Sequence, residues 1–189
     1  DKKKINENEL KNIIFEVKKE KINGINVTVP FKKAVIPFLD ELSIEANETQ
    51  SVNTIYLNNG KTIGHNTDAA GFELALKYSK YNLCNKRIFI LGAGGVVSSI
   101  IFALNKMKPS KIILSNRTKE KAENLKNLFK YIDIVNWGEM PNFDMIINAT
   151  SLGLKEDDEI KLDFSNIGQN KIFYDVIYSP KETNFLKTA

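Results

Sequence analysis

The sequence holds 189 residues, 42% of them apolar and 26% charged, a balance that supports a buried core in one large domain or two small ones. Its formal charge of +4 comes from 27 basic and 23 acidic residues spread along the chain, and its aromatics are scattered and mostly sit in apolar runs, which argues against a nucleic-acid face. One cysteine and one histidine exclude an intramolecular disulfide and argue against a Cys/His metal site. No apolar run is long enough to span a bilayer, and the polar start at Asp1–Lys4 lacks the apolar core of a secretory signal, so a reducing cytoplasm is the expected setting.

From Glu9 to Lys21, Leu10, Ile13, Ile14 and Val17 fall on one helical face, and Asn23-Gly24 closes the segment. Ile25–Val29 is rich in β-branched residues and predicts a short strand ended by Pro30. An opening in the order helix then strand suggests an α/β sheet whose first strand is missing. A short helix limited by Pro37 is expected through Val35, Ile36, Phe38 and Leu39. Val52–Leu57 and Thr62–His65 predict a hairpin, because Asn58-Asn59-Gly60 supplies the positive φ angles of its turn. Thr67 or Asp68 is the expected cap of the helix that follows through Phe72, Ala75 and Leu76, and the domain boundary is placed here, dividing 1–67 from 68–189. Strands at Arg87–Leu91, Lys111–Ser115 and Tyr131–Val135 then alternate with helices at Gly94–Met107 and Lys119–Lys130. Short strands at Met145–Asn148 and Ile172–Tyr174 complete a parallel sheet with right-handed crossovers, and such a sheet collects its ligand at the strand ends.

The centre of this arrangement is the passage from Ile88–Leu91 into Gly92-Ala93-Gly94-Gly95-Val96. Gly92 permits a sharp turn, and the bare backbone at Gly94 lets N–H groups approach a pyrophosphate at a helix N-terminus. Val97 stands where the fingerprint ends in Gly or Ala, and an ordinary tight strand-to-helix turn is the alternative. At the end of the next strand a ribose-binding acid would select NAD(H), but Asn116-Arg117-Thr118 holds none. In a chain whose bases are nearly all lysine, Arg117 offers a guanidinium fork to a 2′-phosphate, with Thr118 and Lys121 beside it, so NADP(H) is the expected cofactor. A solvated helix start is the plainer alternative.

In Asn26–Lys32 the alternation places Asn26 and Thr28 on one strand face, with Lys32 just past the proline. Taken singly, Lys32 is a surface base, Asp68 a helix cap and Asn53 a polar strand residue. Taken together they offer a proton donor and a partner to hold it, as a hydride transfer to a ketone requires. These segments, with Ser51–Thr54, Gly64–Asp68, the glycine turn, Asn116–Thr118, Asn148–Ser151 and Tyr174–Tyr178, resemble shikimate dehydrogenases in order and approximate spacing over nearly the whole chain. The resemblance implies a Rossmann-type α/β domain that binds NADP beside a smaller, partial α/β substrate domain. It implies reversible reduction of 3-dehydroshikimate to shikimate, with Lys32 and Asp68 catalytic and Asn26, Thr28, Asn53 and Tyr178 on a small-molecule substrate. It also places Ala149, Thr150, Ser151 and Val176 near the cofactor. In the family pattern a carboxylate-gripping serine pair precedes Asp1 and a substrate-contacting glutamine follows Ala189, so the substrate site is expected to be incomplete here. Lys121 replaces a common second arginine, which loosens the expected phosphate grip. The competing expectations are a broader quinate/shikimate dehydrogenase and a truncated NADP-binding protein without chemistry; oligomeric state is left open.

Overall fold

The computed structural model describes residues 6–155 and 157–189, so the basic start at Asp1–Lys4 lies outside the described residues. The chain divides into two compact units, one of residues up to Lys80 with Ser98–Ala103, the other of Tyr81–Val97 with Leu104–Ala189.

In the first unit, α1 (Glu7–Lys18) is opened by a reciprocal cap between Asn6 and Glu9, which starts it ahead of Glu9. It ends at Lys18 rather than Lys21, with Glu20 in the left-handed region. Leu10 and Ile14 pack with Val35, Ala46, Val52 and Ile55 into one core, as the helical spacing predicts. The strand expected over Ile25–Val29 is shorter: β1 is Gly24–Asn26, and beyond it the ladder reduces to the Val27 N–H donating to the Asn53 carbonyl at 2.7 Å. The helix around Pro37 is a single 3-10 turn, Ile36–Phe38. β2 (Glu41–Leu42) and α2 (Ile44–Thr49), the latter capped by Ser43, have no counterpart in the sequence reading, being too short to show a period. β3 (Thr54–Asn58) and β4 (Lys61–His65) form the expected hairpin, with Asn59 and Gly60 both at positive φ. The sheet order is β1-β3-β4-β2, antiparallel except where β2 runs parallel to β4. α3 (Asp68–Tyr78) closes the first stretch of this unit.

Lys18 on α1 is tied to Asp40, donating to both carboxylate oxygens at 2.8 and 2.9 Å, while Thr62 adds its backbone N–H and its hydroxyl at 2.8 Å each. Lys18 first, then the Thr62 donors, hold the Asp40 carboxyl well below the usual carboxylate range. A carboxyl depressed in the folded state lends stability that is complete above its unfolded value of about 3.9 and is lost as the pH falls below it. Urea midpoints of the wild type and Asp40→Asn should therefore differ near neutral pH and draw progressively closer as the pH falls below about 3.9. A gap that stays constant with pH would separate Asp40 from acid sensitivity.

The second unit holds β5 (Arg87–Leu91), α4 (Val97–Lys106, whose middle turns belong to the first unit), β6 (Lys111–Ser115), α5 (Lys119–Leu128), β7 (Asp133–Val135), β8 (Met145–Asn148), β9 (Ile172–Asp175) and the unforeseen α6 (Asn184–Lys187). All five strands are parallel in the order β7-β6-β5-β8-β9. Ile88–Leu91, Ile112–Leu114 and Met145–Ile147 are buried along their whole lengths, the pattern of a sheet covered on both faces. The order reverses between β5 and β8, which puts the strand-end crevice beside Gly92 and Ala149.

Candidate active site

In the first unit the residues singled out from the sequence converge. The Lys32 ammonium donates to one oxygen of Asp68 at 2.6 Å, and the Asn53 amide donates to the other at 2.9 Å. The lysine and aspartate side chains are 16% and 23% exposed, so the pair is partly withdrawn from solvent yet open on one side. Its shortness is that of a charge-assisted bond. The Lys32 carbonyl accepts the Val52 N–H at 2.8 Å, which fixes Lys32 beside the residue preceding Asn53. Asn53 is oriented in turn: its amide also donates to the Thr67 hydroxyl at 2.8 Å, and its oxygen accepts from the Thr67 N–H at 3.0 Å and the Thr54 hydroxyl at 3.1 Å. Asn26 pairs with Thr54 across β1 and β3, one residue from Asn53, and is exposed, as is Thr28.

The expected cap at Thr67 or Asp68 is corrected by the structure. Thr67 makes no side-chain cap, and the Asp68 carboxylate is committed to Lys32 and Asn53. The fully buried Asn66 does the capping, its oxygen accepting from the N–H groups of Asp68 at 3.0 Å and Ala69 at 3.3 Å. Its amide donates to Thr49, the Ser51 carbonyl and Ser99 at 2.9–3.0 Å. A cap satisfied elsewhere leaves Asp68 available for chemistry.

In the second unit a cavity of about 490 Å³ opens at the strand ends. Gly92, Ala93 and Gly94 line one part and Asn116, Arg117, Thr118 and Lys121 another, while Ala149, Thr150 and Ser151 contribute the turn after β8. Gly92 has φ +106°, and a Cβ there would lie 2.7 Å from the Ala149 carbonyl oxygen. At Gly94 the nearest atom to a Cβ would be that same oxygen at 3.8 Å, so the missing side chain leaves open space. The turn after β8 is shaped by buried Asn148, whose oxygen accepts from the Thr150 N–H at 3.0 Å and the Thr150 hydroxyl at 2.7 Å. Thr118 makes no side-chain cap on α5; instead the Asn116 amide donates to the Thr118 carbonyl at 2.7 Å. Among the described residues neither Arg117 nor Lys121 is held in an ion pair.

Three of the expected cofactor residues, Gly95, Val96 and Val176, do not line this cavity; the Val176 N–H donates to the Asn148 carbonyl at 3.0 Å. Tyr178 is 91% exposed beyond β9. Trp137 packs against the core and also lines the cavity, and Leu152, Glu159 and Lys161 contribute to the same lining. No local motif marks these four, because the loops that carry them lack periodicity. Arg117, Lys121 and Lys161 give the cavity an excess of positive charge over Glu159, and the open backbone at Gly94 adds a cradle, so the donors present fit a phosphorylated dinucleotide. Among the described residues no cluster of His, Cys, Asp and Glu is placed to hold a metal ion, and no helix is long and apolar enough to cross a membrane.

Comparison with known proteins gives two family matches. Residues 1–55 match the shikimate dehydrogenase substrate binding domain, and residues 73–155 match shikimate / quinate 5-dehydrogenase. The chain is 58% identical over 189 residues to shikimate dehydrogenase (NADP(+)) of Pelagibacter ubique, covering 100% of itself and 71% of that relative. Among solved structures it is similar to shikimate dehydrogenase from Aquifex aeolicus, at 42% identity and TM-score 0.87 over 98% of this chain and 69% of that one. It is also similar to a shikimate dehydrogenase in complex with NADP+, at 34% identity and TM-score 0.88 over 97% of this chain and 67% of that one.

Proposed function

This chain belongs to the shikimate dehydrogenase family, and we propose that it carries out the reversible NADP(H)-dependent reduction of 3-dehydroshikimate to shikimate. The observation that carries this reading is the Lys32–Asp68–Asn53 cluster, in which both carboxylate oxygens are occupied and one ammonium is aimed. The nicotinamide coenzyme, when bound, supplies the hydride. Lys32 gives its proton to the oxygen of the substrate carbonyl as that oxygen becomes an alkoxide, and in the reverse direction takes it from the hydroxyl. Asp68 holds the ammonium in position and keeps its charge compensated, while Asn53 fixes the carboxylate plane. Asn26, Thr28 and Tyr178 are assigned to the substrate by family likeness. Arg117, with Thr118 and Lys121, binds the 2′-phosphate, and no acid at the end of β6 competes for a ribose hydroxyl. A small-molecule substrate and a cytoplasmic setting belong to the same proposal.

The test is shikimate-dependent reduction of NADP+, followed at the nicotinamide absorbance. NADP+ should be preferred over NAD+ by about tenfold or more in kcat/KM, a difference of ~1.4 kcal/mol. NADP+ binding without turnover on shikimate would leave a cofactor-binding protein that lacks chemistry. A second reading, oxidation of quinate, is favoured by the shared shikimate / quinate family match, and the same assay with quinate decides it.

A further inference from the structure

The loop after β8 brings charge to the cofactor cavity from an element outside the glycine turn and the β6–α5 turn. Ile160 is buried at 8% exposure in the core with Phe89, Phe143, Ile146 and Phe185. Its neighbours Glu159 and Lys161 are both exposed, and both line the cavity that Arg117 and Lys121 line. The burial of Ile160 therefore acts as an anchor that holds the two flanking charges at the cavity wall. Asp158 pins the same loop, its carboxylate accepting the N–H groups of Gly153 at 3.3 Å and Lys155 at 3.0 Å, and its carbonyl accepting the Asn184 amide at 3.3 Å. The Leu162 N–H donates to the Ile160 carbonyl at 2.9 Å. Among the described residues Lys161 is held in no ion pair, so its ammonium is available to a ligand.

We propose that Lys161 is a third phosphate-binding cation of the cofactor site and that Glu159 opposes it, so that this loop tunes dinucleotide affinity from the side away from β6. The proposal rests on the NADP(H) reading above. The ionised groups that face the cavity are Arg117 and Lys121 from the β6–α5 side and Glu159 and Lys161 from the loop. A dinucleotide phosphate entering this set is attracted by three groups and repelled by one. Lysine acts here as a point charge without a preferred fork, which suits a loop that approaches from the side.

Calorimetric titration of the intact protein with NADP+, NAD+ and 2′,5′-ADP tests the assignment without recourse to turnover. Lys161→Gln should raise the Kd for NADP+ about five- to tenfold, Lys161→Arg should hold it within about twofold, and Glu159→Gln should lower it by about two- to threefold. A loss seen with NADP+ and 2′,5′-ADP but not NAD+ places Lys161 on the 2′-phosphate. An equal loss with NADP+ and NAD+ places it on the diphosphate. Unchanged affinity in Lys161→Gln, or failure of Lys161→Arg to restore it, overturns the proposal while leaving NADP+ binding by the wild type intact. A wild type that takes up no NADP+ would instead overturn the cofactor reading, and this proposal with it.

Discussion

Lys32→Ala is expected to lower turnover on shikimate by ~10² to 10⁴ while the Kd for NADP(H) stays within about twofold. The size follows from the role of the group. A positioned proton donor contributes over that range, and the ammonium of Lys32 is positioned from both ends. Its backbone is fixed by the bond from Val52 N–H to its carbonyl, and its tip by the 2.6 Å contact with Asp68. The cofactor cavity draws its lining from other residues, which is why binding should survive. Asp68→Asn separates charge from shape, since an amide in that position can still meet Asn53 but no longer compensates the ammonium. It should lower turnover by less than Lys32→Ala. Single-turnover measurements with bound NADP+ check both variants, and full activity in Lys32→Ala would remove this lysine from the mechanism.

Gly92→Ala is expected to abolish tight cofactor binding and to destabilise the fold by ~1–3 kcal/mol. The new Cβ would lie 2.7 Å from the Ala149 carbonyl oxygen, 2.8 Å from its carbon and 3.0 Å from the Thr150 nitrogen, all of them backbone atoms. None can swing aside as a side chain would. Gly92 N–H is bonded to the Ser115 carbonyl at 2.8 Å and Ala149 N–H to the Leu91 carbonyl at 2.8 Å, so relief of the clash would separate strand ends that the ladder holds together. The φ of +106° adds strain for any residue with a side chain. Gly94→Ala is the control. Its Cβ meets nothing nearer than 3.8 Å in the fold, so thermal unfolding should match the wild type, while the methyl group stands in the cavity and weakens NADP(H) by about tenfold or more. If Gly92→Ala binds and unfolds like the wild type, the turn is not the cradle.

Local pattern accounts for what was legible before any tertiary structure. The all-apolar runs at Ile88–Leu91, Ile112–Leu114 and Met145–Ile147 read as parallel strands because burial on both faces removes the polar alternation. The hairpin was legible because Asn59-Gly60 is a backbone requirement written in residue type, and the glycine turn was legible for the same reason. The resemblance to a family added roles to Lys32, Asn53 and Asp68 that their types alone leave ambiguous. Elements too short to complete a period, β2, α2 and α6, left no such trace. What only the tertiary structure decided is which polar groups meet. Lys32 reaches Asp68 across 36 positions and Asn53 reaches it across 15, and Asn66 rather than Thr67 takes over the cap, releasing the carboxylate. Glu159 and Lys161 reach the cavity because Ile160 is buried between them. Local spacing specifies the face on which a side chain stands. The partner it finds there depends on strand register and chain crossings that bring distant segments together, and no short window of sequence contains them.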